Sequence, residues 1–124
     1  KRLRAEGWEV YGYEPHGSAH GGGKYVLTQR SELEQLKPAG IYSNNVLEHF
    51  RYPVAALRDM AALLPAGALM SHATPCFEYR FEFTRFHLFF FLGKSREWIA
   101  EQANISIVDY RADGDFMNLV LQTP

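Results

Sequence analysis

Six short segments of this chain are rich in apolar, aromatic and β-branched residues, a pattern typical of β-strands. The predicted strands span residues 8–13, 24–29, 41–46, 68–73, 105–110 and 116–121. Helices or long connections separate the first four, which favours a mainly parallel sheet. Residues 111–115 join the last two, and this loop is short enough for an antiparallel hairpin. The pattern therefore predicts an α/β fold with an antiparallel end.

Helical periodicity is clearest in the middle of the chain, where apolar residues recur at i, i+3, i+4 and i+7. They are Leu57, Met60, Ala61 and Leu64. Pro53 suits the first turn of this helix. Ser95 is expected to cap a second helix that runs to about residue 103. Residues 1–6 are typical of the end of a helix, with Gly7 as its left-handed cap.

Two further segments lie outside these predicted strands and helices. Aromatic and charged residues alternate strictly over residues 77–83, which indicates an extended strand with one aromatic face. That strand could cover the core as part of a hairpin, the favoured interpretation, or form the wall of an aromatic pocket. Ser31 and Glu32 are expected in a polar loop.

Composition limits the function classes. The 124 residues are 47% hydrophobic, which argues against disorder and favours a single domain over residues 1–124. A net charge of −1 gives no broad footprint for nucleic acid. Apolar runs such as residues 88–92 are far too short to span a membrane. Cys76 is the only cysteine, which suits the reducing cytoplasm.

Several segments, in order, resemble class I S-adenosylmethionine-dependent methyltransferases of the methyltransferase type 11/12/23 kind. Residues 7–15 (GWEVYGYEP) are similar to the second strand of that family, which ends in an acidic residue. The other matching segments are 44–50 (NNVLEHF), 64–69 (LPAGAL), 71–75 (SHATP) and 85–90 (RFHLFF). The resemblance implies a partial Rossmann-like methyltransferase sheet, comprising the carboxyl-terminal two-thirds of the family fold.

The first strand of that family, with its G-x-G-x-G loop, has no counterpart here. Residues 21–23 are three glycines, but they follow the second strand rather than the first. Because much of the family's cofactor site is backbone of that loop, we expect weak or no cofactor binding by this chain alone. The missing strand would also leave predicted strands 8–13 and 41–46 without their usual neighbour. They could pair directly, or a homodimer or higher oligomer could cover the gap.

The resemblance implies S-adenosylmethionine as cofactor and assigns its ligands to the ends of the second and fourth strands. Glu14 would accept hydrogen bonds from the ribose hydroxyls, although an isolated Glu there could be a solvated charge. The remaining cofactor-site candidates are Pro15 and His16 beside the adenosine, Asn44 and Asn45 near the methionine end, and Glu48 and His49 just beyond. Turn closure and helix capping are the structural alternatives for the last four.

The methyl acceptor would bind after the fifth strand. His72 and His87 are the candidate catalytic residues, because an imidazole can orient or deprotonate an acceptor hydroxyl or amine. Candidate substrate-binding residues are Thr74, Cys76, Tyr79 and Phe81. A single cysteine without ordered ligand spacing gives little support to a nucleophile pair, and no metal site is expected.

Two functions remain open at this point. The first is methyl transfer by an intact parent protein, of which this chain would hold most of the acceptor site, to a small-molecule or glycan-like acceptor. No nucleic-acid or membrane partner is expected, and the chain alone is expected to be inactive. The second is a non-catalytic remnant of the fold that acts as an oligomerising or partner-binding module, since a fold alone does not define a function.

Overall fold

A computed structural model of the chain describes residues 2–17, 23–75, 87–114 and 116–124. The chain divides into two compact units, Lys1–Pro38 and Ala39–Pro124. Within the described residues, no helix combines the length and the apolar character needed to cross a membrane.

The first unit contains two short helices and two very short strands. They are α1 (Arg2–Ala5), β1 (Gly12–Tyr13), β2 (Val26–Leu27) and α2 (Arg30–Leu36). The two strands pair in parallel, with Gly12 opposite Val26. Gly7, which follows α1, has φ +89°, as expected for a left-handed cap.

Helix α2 begins where the sequence was expected to form a loop, so the assignment of Ser31 and Glu32 to a polar loop is wrong. The Glu32 carboxylate accepts hydrogen bonds from the backbone N–H groups of Gln29 (2.8 Å) and Thr28 (2.9 Å). These two bonds satisfy amides that precede the first turn. They also lower the pKa of Glu32, because they stabilise its charged form.

The second unit contains a four-stranded sheet and the longer helices. Its elements are β3 (Gly40–Asn44), a 3₁₀ helix (Leu47–His49), α3 (Pro53–Ala61), β4 (Leu69–Pro75), α4 (Ser95–Ala103), β5 (Ser106–Asp113) and β6 (Phe116–Gln122). The strand order is β3-β4-β6-β5. In this sheet β3 and β4 pair in parallel, while β6 runs antiparallel to both β4 and β5.

One face of this sheet forms the core of the second unit. Side chains alternate along β4, so that Met70, His72 and Thr74 are buried while Leu69 is exposed. Apolar residues of β6 and of the two helices complete the core: Leu57, Ile99, Ala100, Ala103, Met117, Leu119 and Leu121. The core therefore lies against the sheet face that also carries His72 and Thr74.

The predicted α/β class is confirmed, with parallel pairing of β1 with β2 and of β3 with β4, and the carboxyl-terminal hairpin. The expectation of one sheet containing all the parallel strands is wrong, because the strands divide into two sheets. Neither β1 nor β2 exceeds two residues, against the six predicted for each.

The predicted cap of α4 is also wrong. Ser95 is the first helical residue and Lys94 occupies the N-cap position. The Ser95 hydroxyl instead donates to the carbonyl of Leu92 at 2.7 Å. Pro53 does begin α3, as expected. The alternating segment at residues 77–83 lies outside the described residues.

Candidate functional site

The carboxyl ends of β3 and β4 lie at the same edge of the sheet, because the two strands are parallel. Asn44 is the last residue of β3, and Asn45 follows it with φ +52°, a left-handed conformation that Asn tolerates better than most residues. The Asn45 N–H donates to the carbonyl of Ala73 at 2.9 Å. This bond extends the pairing by one residue, and both Asn side chains are exposed there.

The 3₁₀ helix that follows places a carboxylate inside the protein. Glu48 is fully buried, and its Oε2 accepts a hydrogen bond from the equally buried hydroxyl of Thr74 at 2.9 Å. Glu48 Oε1 is also buried, and among the described residues no group lies in position to hydrogen-bond to it. Burying a carboxylate oxygen without a hydrogen bond or a counter-charge costs free energy, so a binding partner is expected at this atom.

Two histidines lie beside that carboxylate. His49 Nε2 is 3.8 Å from Glu48 Oε1, and the His49 side chain is 40% exposed. The rings of His49 and His87 are 4.8 Å apart at their centroids, with an angle of 65° between their planes. The N–H groups of Leu88 and Phe89 donate to the carbonyl of Glu48 at 2.9 and 3.3 Å, which holds His87 next to the 3₁₀ helix.

His72 has a different environment. It is fully buried in β4, and its Nδ1 shares a 2.7 Å hydrogen bond with the hydroxyl of Ser43 on the neighbouring strand. Burial lowers the pKa of His72 from 6.5 to about 4, so the ring is neutral at pH 7. Its Nε2 has no hydrogen-bond partner among the described residues. Sequence reasoning missed Ser43, whose position opposite His72 is set by strand register.

In the first unit, Glu14 follows β1 directly, as predicted, and is half-buried. Its Oε1 accepts a hydrogen bond from the N–H of His16 at 3.2 Å, while its own N–H donates to the carbonyl of Leu27 at 2.9 Å. The side chains of Pro15 and His16 are exposed. The predicted substrate-binding residues Cys76, Tyr79 and Phe81 lie outside the described residues.

The second unit therefore brings together five of the predicted site residues at one edge of the sheet: Asn44, Asn45, Glu48, His49 and Thr74. His87 joins them through the backbone bonds to Glu48. A cluster of polar side chains beyond the carboxyl ends of parallel strands is where open α/β sheets bind their ligands. The fold and this cluster define a class I methyltransferase-like domain.

The family assignment follows from a family model. A model described as a methyltransferase domain matches residues 1–110, and the chain belongs to that family. None of the curated proteins matches the chain.

Solved structures share the fold at low sequence identity. The [4+2]-cyclase SpnF superposes with a TM-score of 0.56 at 12% identity, over 69% of this chain and 49% of that chain. TnmH superposes with a TM-score of 0.57 at 14% identity, over 82% of this chain and 36% of TnmH. An O-methyltransferase family protein from Burkholderia thailandensis superposes with a TM-score of 0.50 at 16% identity, over 80% of this chain and 36% of that protein. The chain thus spans half or less of each of these structures.

Proposed function

We propose that this domain takes part in S-adenosylmethionine-dependent methyl transfer to a small-molecule acceptor. The observation that carries the proposal is the cluster of Asn44, Asn45, Glu48 and His49 beyond the carboxyl end of β3, in a chain of the methyltransferase family. Fold alone is a weak guide, since one protein with a similar fold is a cyclase. The support comes from the cluster.

Each unit carries candidate cofactor ligands at or just beyond the end of a strand. The Glu14 carboxylate would accept hydrogen bonds from both ribose hydroxyls, a role that suits its position directly after β1. Pro15 and His16 would contact the adenosine. The exposed amides of Asn44 and Asn45 would bind the charged methionine end, because an amide can both donate and accept.

Methyl transfer from a sulfonium is a direct displacement that requires mainly correct positioning of the two reactants. The acceptor oxygen or nitrogen attacks the methyl carbon, the sulfur–carbon bond breaks to leave S-adenosylhomocysteine, and the acceptor proton goes to a base or to water. The sulfonium is already activated, so positioning supplies much of the rate. Of the two candidate bases we assign the role to His87, because His72 is fully buried and hydrogen-bonded to Ser43.

Nuclear magnetic resonance of the ¹⁵N-labelled chain tests cofactor binding even when the affinity is weak. Titration with S-adenosylhomocysteine to millimolar concentration should shift the amide signals of Glu14, His16 and residues 44–49. Glu14→Gln should weaken the response, because it removes the charge that accepts from the ribose. Glu34→Gln, which removes an exposed charge of the same unit, is the matched control.

A response that is unaltered in Glu14→Gln would remove Glu14 from the site. The alternative function, a non-catalytic oligomerising module, is favoured by one observation: among the strands that the structure describes, β3 lies at the edge of its sheet. Absence of any shift at millimolar ligand, together with self-association of the chain, would reject the cofactor proposal and support this alternative.

A further inference from the structure

The geometry points to a divalent transition-metal site formed by Glu48, His49 and His87. Each residue offers one ligand atom, a carboxylate oxygen or an imidazole nitrogen, and the three atoms all lie within 4.8 Å of one another. Two imidazoles and one carboxylate are a donor set that suits Zn²⁺, Fe²⁺ or Co²⁺ rather than Mg²⁺ or Ca²⁺, which prefer oxygen ligands.

Distances within the cluster are close to those of a metal site. Three atoms no more than 4.8 Å apart have a common centre within about 2.8 Å of each, against bonds of roughly 2.0–2.2 Å to zinc. Each ligand atom therefore needs to move inward by well under 1 Å. His49 Nε2 and Glu48 Oε1 are 3.8 Å apart, near the roughly 3.4 Å that separates two ligands of a tetrahedral metal.

The buried carboxylate supplies an independent reason for a cation. Glu48 is fully buried, its Oε2 is bound by Thr74, and its Oε1 has no hydrogen-bond partner among the described residues. A divalent ion at Oε1 would neutralise the buried charge and use the unmatched oxygen at the same time. The competing interpretation is an ion pair between Glu48 Oε1 and a protonated His49, whose atoms are 3.8 Å apart. That ion pair would leave the buried oxygen without a hydrogen bond, since 3.8 Å is too long for one.

The surroundings hold the three ligands in place. The Thr74 hydroxyl, which donates to Oε2, fixes the carboxylate in the way that outer hydrogen bonds orient metal ligands. The Glu48 carbonyl accepts from the N–H groups of Leu88 and Phe89, and so couples the segment carrying His87 to the 3₁₀ helix carrying the other two ligands. The ligands therefore come from two segments clamped together by backbone bonds.

Three protein ligands leave at least one coordination position open at the edge of the sheet where β3 and β4 end. An acceptor hydroxyl bound there would lose its proton to water more readily, because a bound cation lowers the pKa of a coordinated oxygen. The resulting oxygen anion would then attack the methyl carbon, and His87, as a ligand of the ion, would act through it rather than as the base itself. This use of the metal rests on the proposed function, whereas the metal site itself does not.

Cobalt titration of the metal-stripped chain, prepared without a histidine tag, tests the site. Co²⁺ should bind with one-to-one stoichiometry and a visible absorption spectrum typical of mixed nitrogen and oxygen ligation, and Zn²⁺ should displace it. Glu48→Gln and His87→Gln should each lower the Co²⁺ affinity about tenfold or more. His16→Gln, at an exposed histidine of the other unit, should leave it unchanged.

Thr74→Val gives a further readout, because it spares all three ligands. It should weaken Co²⁺ binding by roughly 10–100-fold if the hydroxyl orients the carboxylate. If Glu48→Gln fails to fold, His87→Gln and Thr74→Val carry the test, with amide spectra as the check on folding. Absence of saturable binding, or saturable binding that neither Glu48→Gln nor His87→Gln weakens, would overturn the site. Loss of S-adenosylhomocysteine binding alone would reject only the proposed function.

Discussion

The hydroxyl of the partly buried Ser43 and Nδ1 of the fully buried His72 are 2.7 Å apart across β3 and β4 of the second unit. His72 also lies opposite Leu119 on β6, a fully buried apolar residue. A histidine surrounded in this way stays neutral, and its burial brings its pKa down to about 4.

This lowered pKa makes stability depend on pH. Unfolded His72 takes up a proton near pH 6.5, whereas folded His72 resists protonation until about pH 4. The contribution of His72 to stability is therefore complete above pH 6.5, falls as the pH drops toward 4, and is constant below that. Across this window the loss is on the order of 3 kcal/mol.

Replacing the ring removes the dependence. His72→Gln should lose less unfolding free energy than the wild type between pH 7 and pH 4.5, as measured by urea denaturation. His16→Gln, at an exposed histidine, should follow the wild type. Parallel pH profiles for wild type and His72→Gln would show that His72 does not titrate in this way.

Core packing gives a second prediction. Leu119→Ala removes a fully buried side chain from β6 and leaves a cavity, so it should lower the free energy of unfolding by about 2–5 kcal/mol. Leu69→Ala, at a 49% exposed position of the neighbouring β4, is the matched control and should cost far less. Equal losses in chemical denaturation would mean that the core does not lie on the face assigned to it.

The end of α4 gives a third prediction. Asn104 has φ 57° and ψ 47°, a left-handed conformation that glycine adopts freely and alanine resists. Asn104→Ala should therefore destabilise the protein by about 1 kcal/mol, while Asn104→Gly should be neutral or slightly stabilising. Thermal unfolding compares them, with exposed Gln102→Ala as the helical control. An Asn104→Ala protein as stable as Asn104→Gly would contradict the left-handed cap.

The edge position of β3 gives a fourth prediction. Among the described strands only β4 pairs with β3, so one side of Gly40–Asn44 presents its backbone to a possible partner. We expect the 124-residue chain to form dimers or larger oligomers in solution. Tyr42→Lys, which puts a charge on a 66% exposed strand position, should favour the monomer, and Tyr52→Lys should not.

Light scattering coupled to size exclusion measures this directly. A monomer at 14.2 kDa for the wild type at high micromolar concentration would reject self-association.

Local patterns predicted the elements whose signals are local. Leu57 and its periodic neighbours gave α3, and the short connection before Phe116 gave the hairpin. Helix α2 was missed because its seven residues include only two apolar side chains, the partly buried Leu33 and Leu36, and because its start depends on Glu32 bonds to backbone amides. The division of the strands into two sheets was missed because the sequence of a single strand does not specify its pairing partner.

The candidate site was predicted as residues but not as an arrangement. Glu48 and His49 adjoin in sequence, yet nothing in the sequence shows that His87 comes beside them or that Thr74 donates to the carboxylate. His72 was assigned to catalysis from its position after the fifth strand. Its burial and its bond to Ser43 depend on strand register, which sequence spacing does not specify.

The backbone bonds from Leu88 and Phe89 to the carbonyl of Glu48 close a loop of the chain that contains α3 and β4. Closing a loop of this length costs entropy before any contact made by its ends is gained. The arrangement of the carboxylate and the two imidazoles therefore depends on closure of this loop. By mass action, anything that binds all three groups also favours the folded form of that loop. Occupancy of the three-residue site and protection of the loop's amides from hydrogen exchange should therefore rise together.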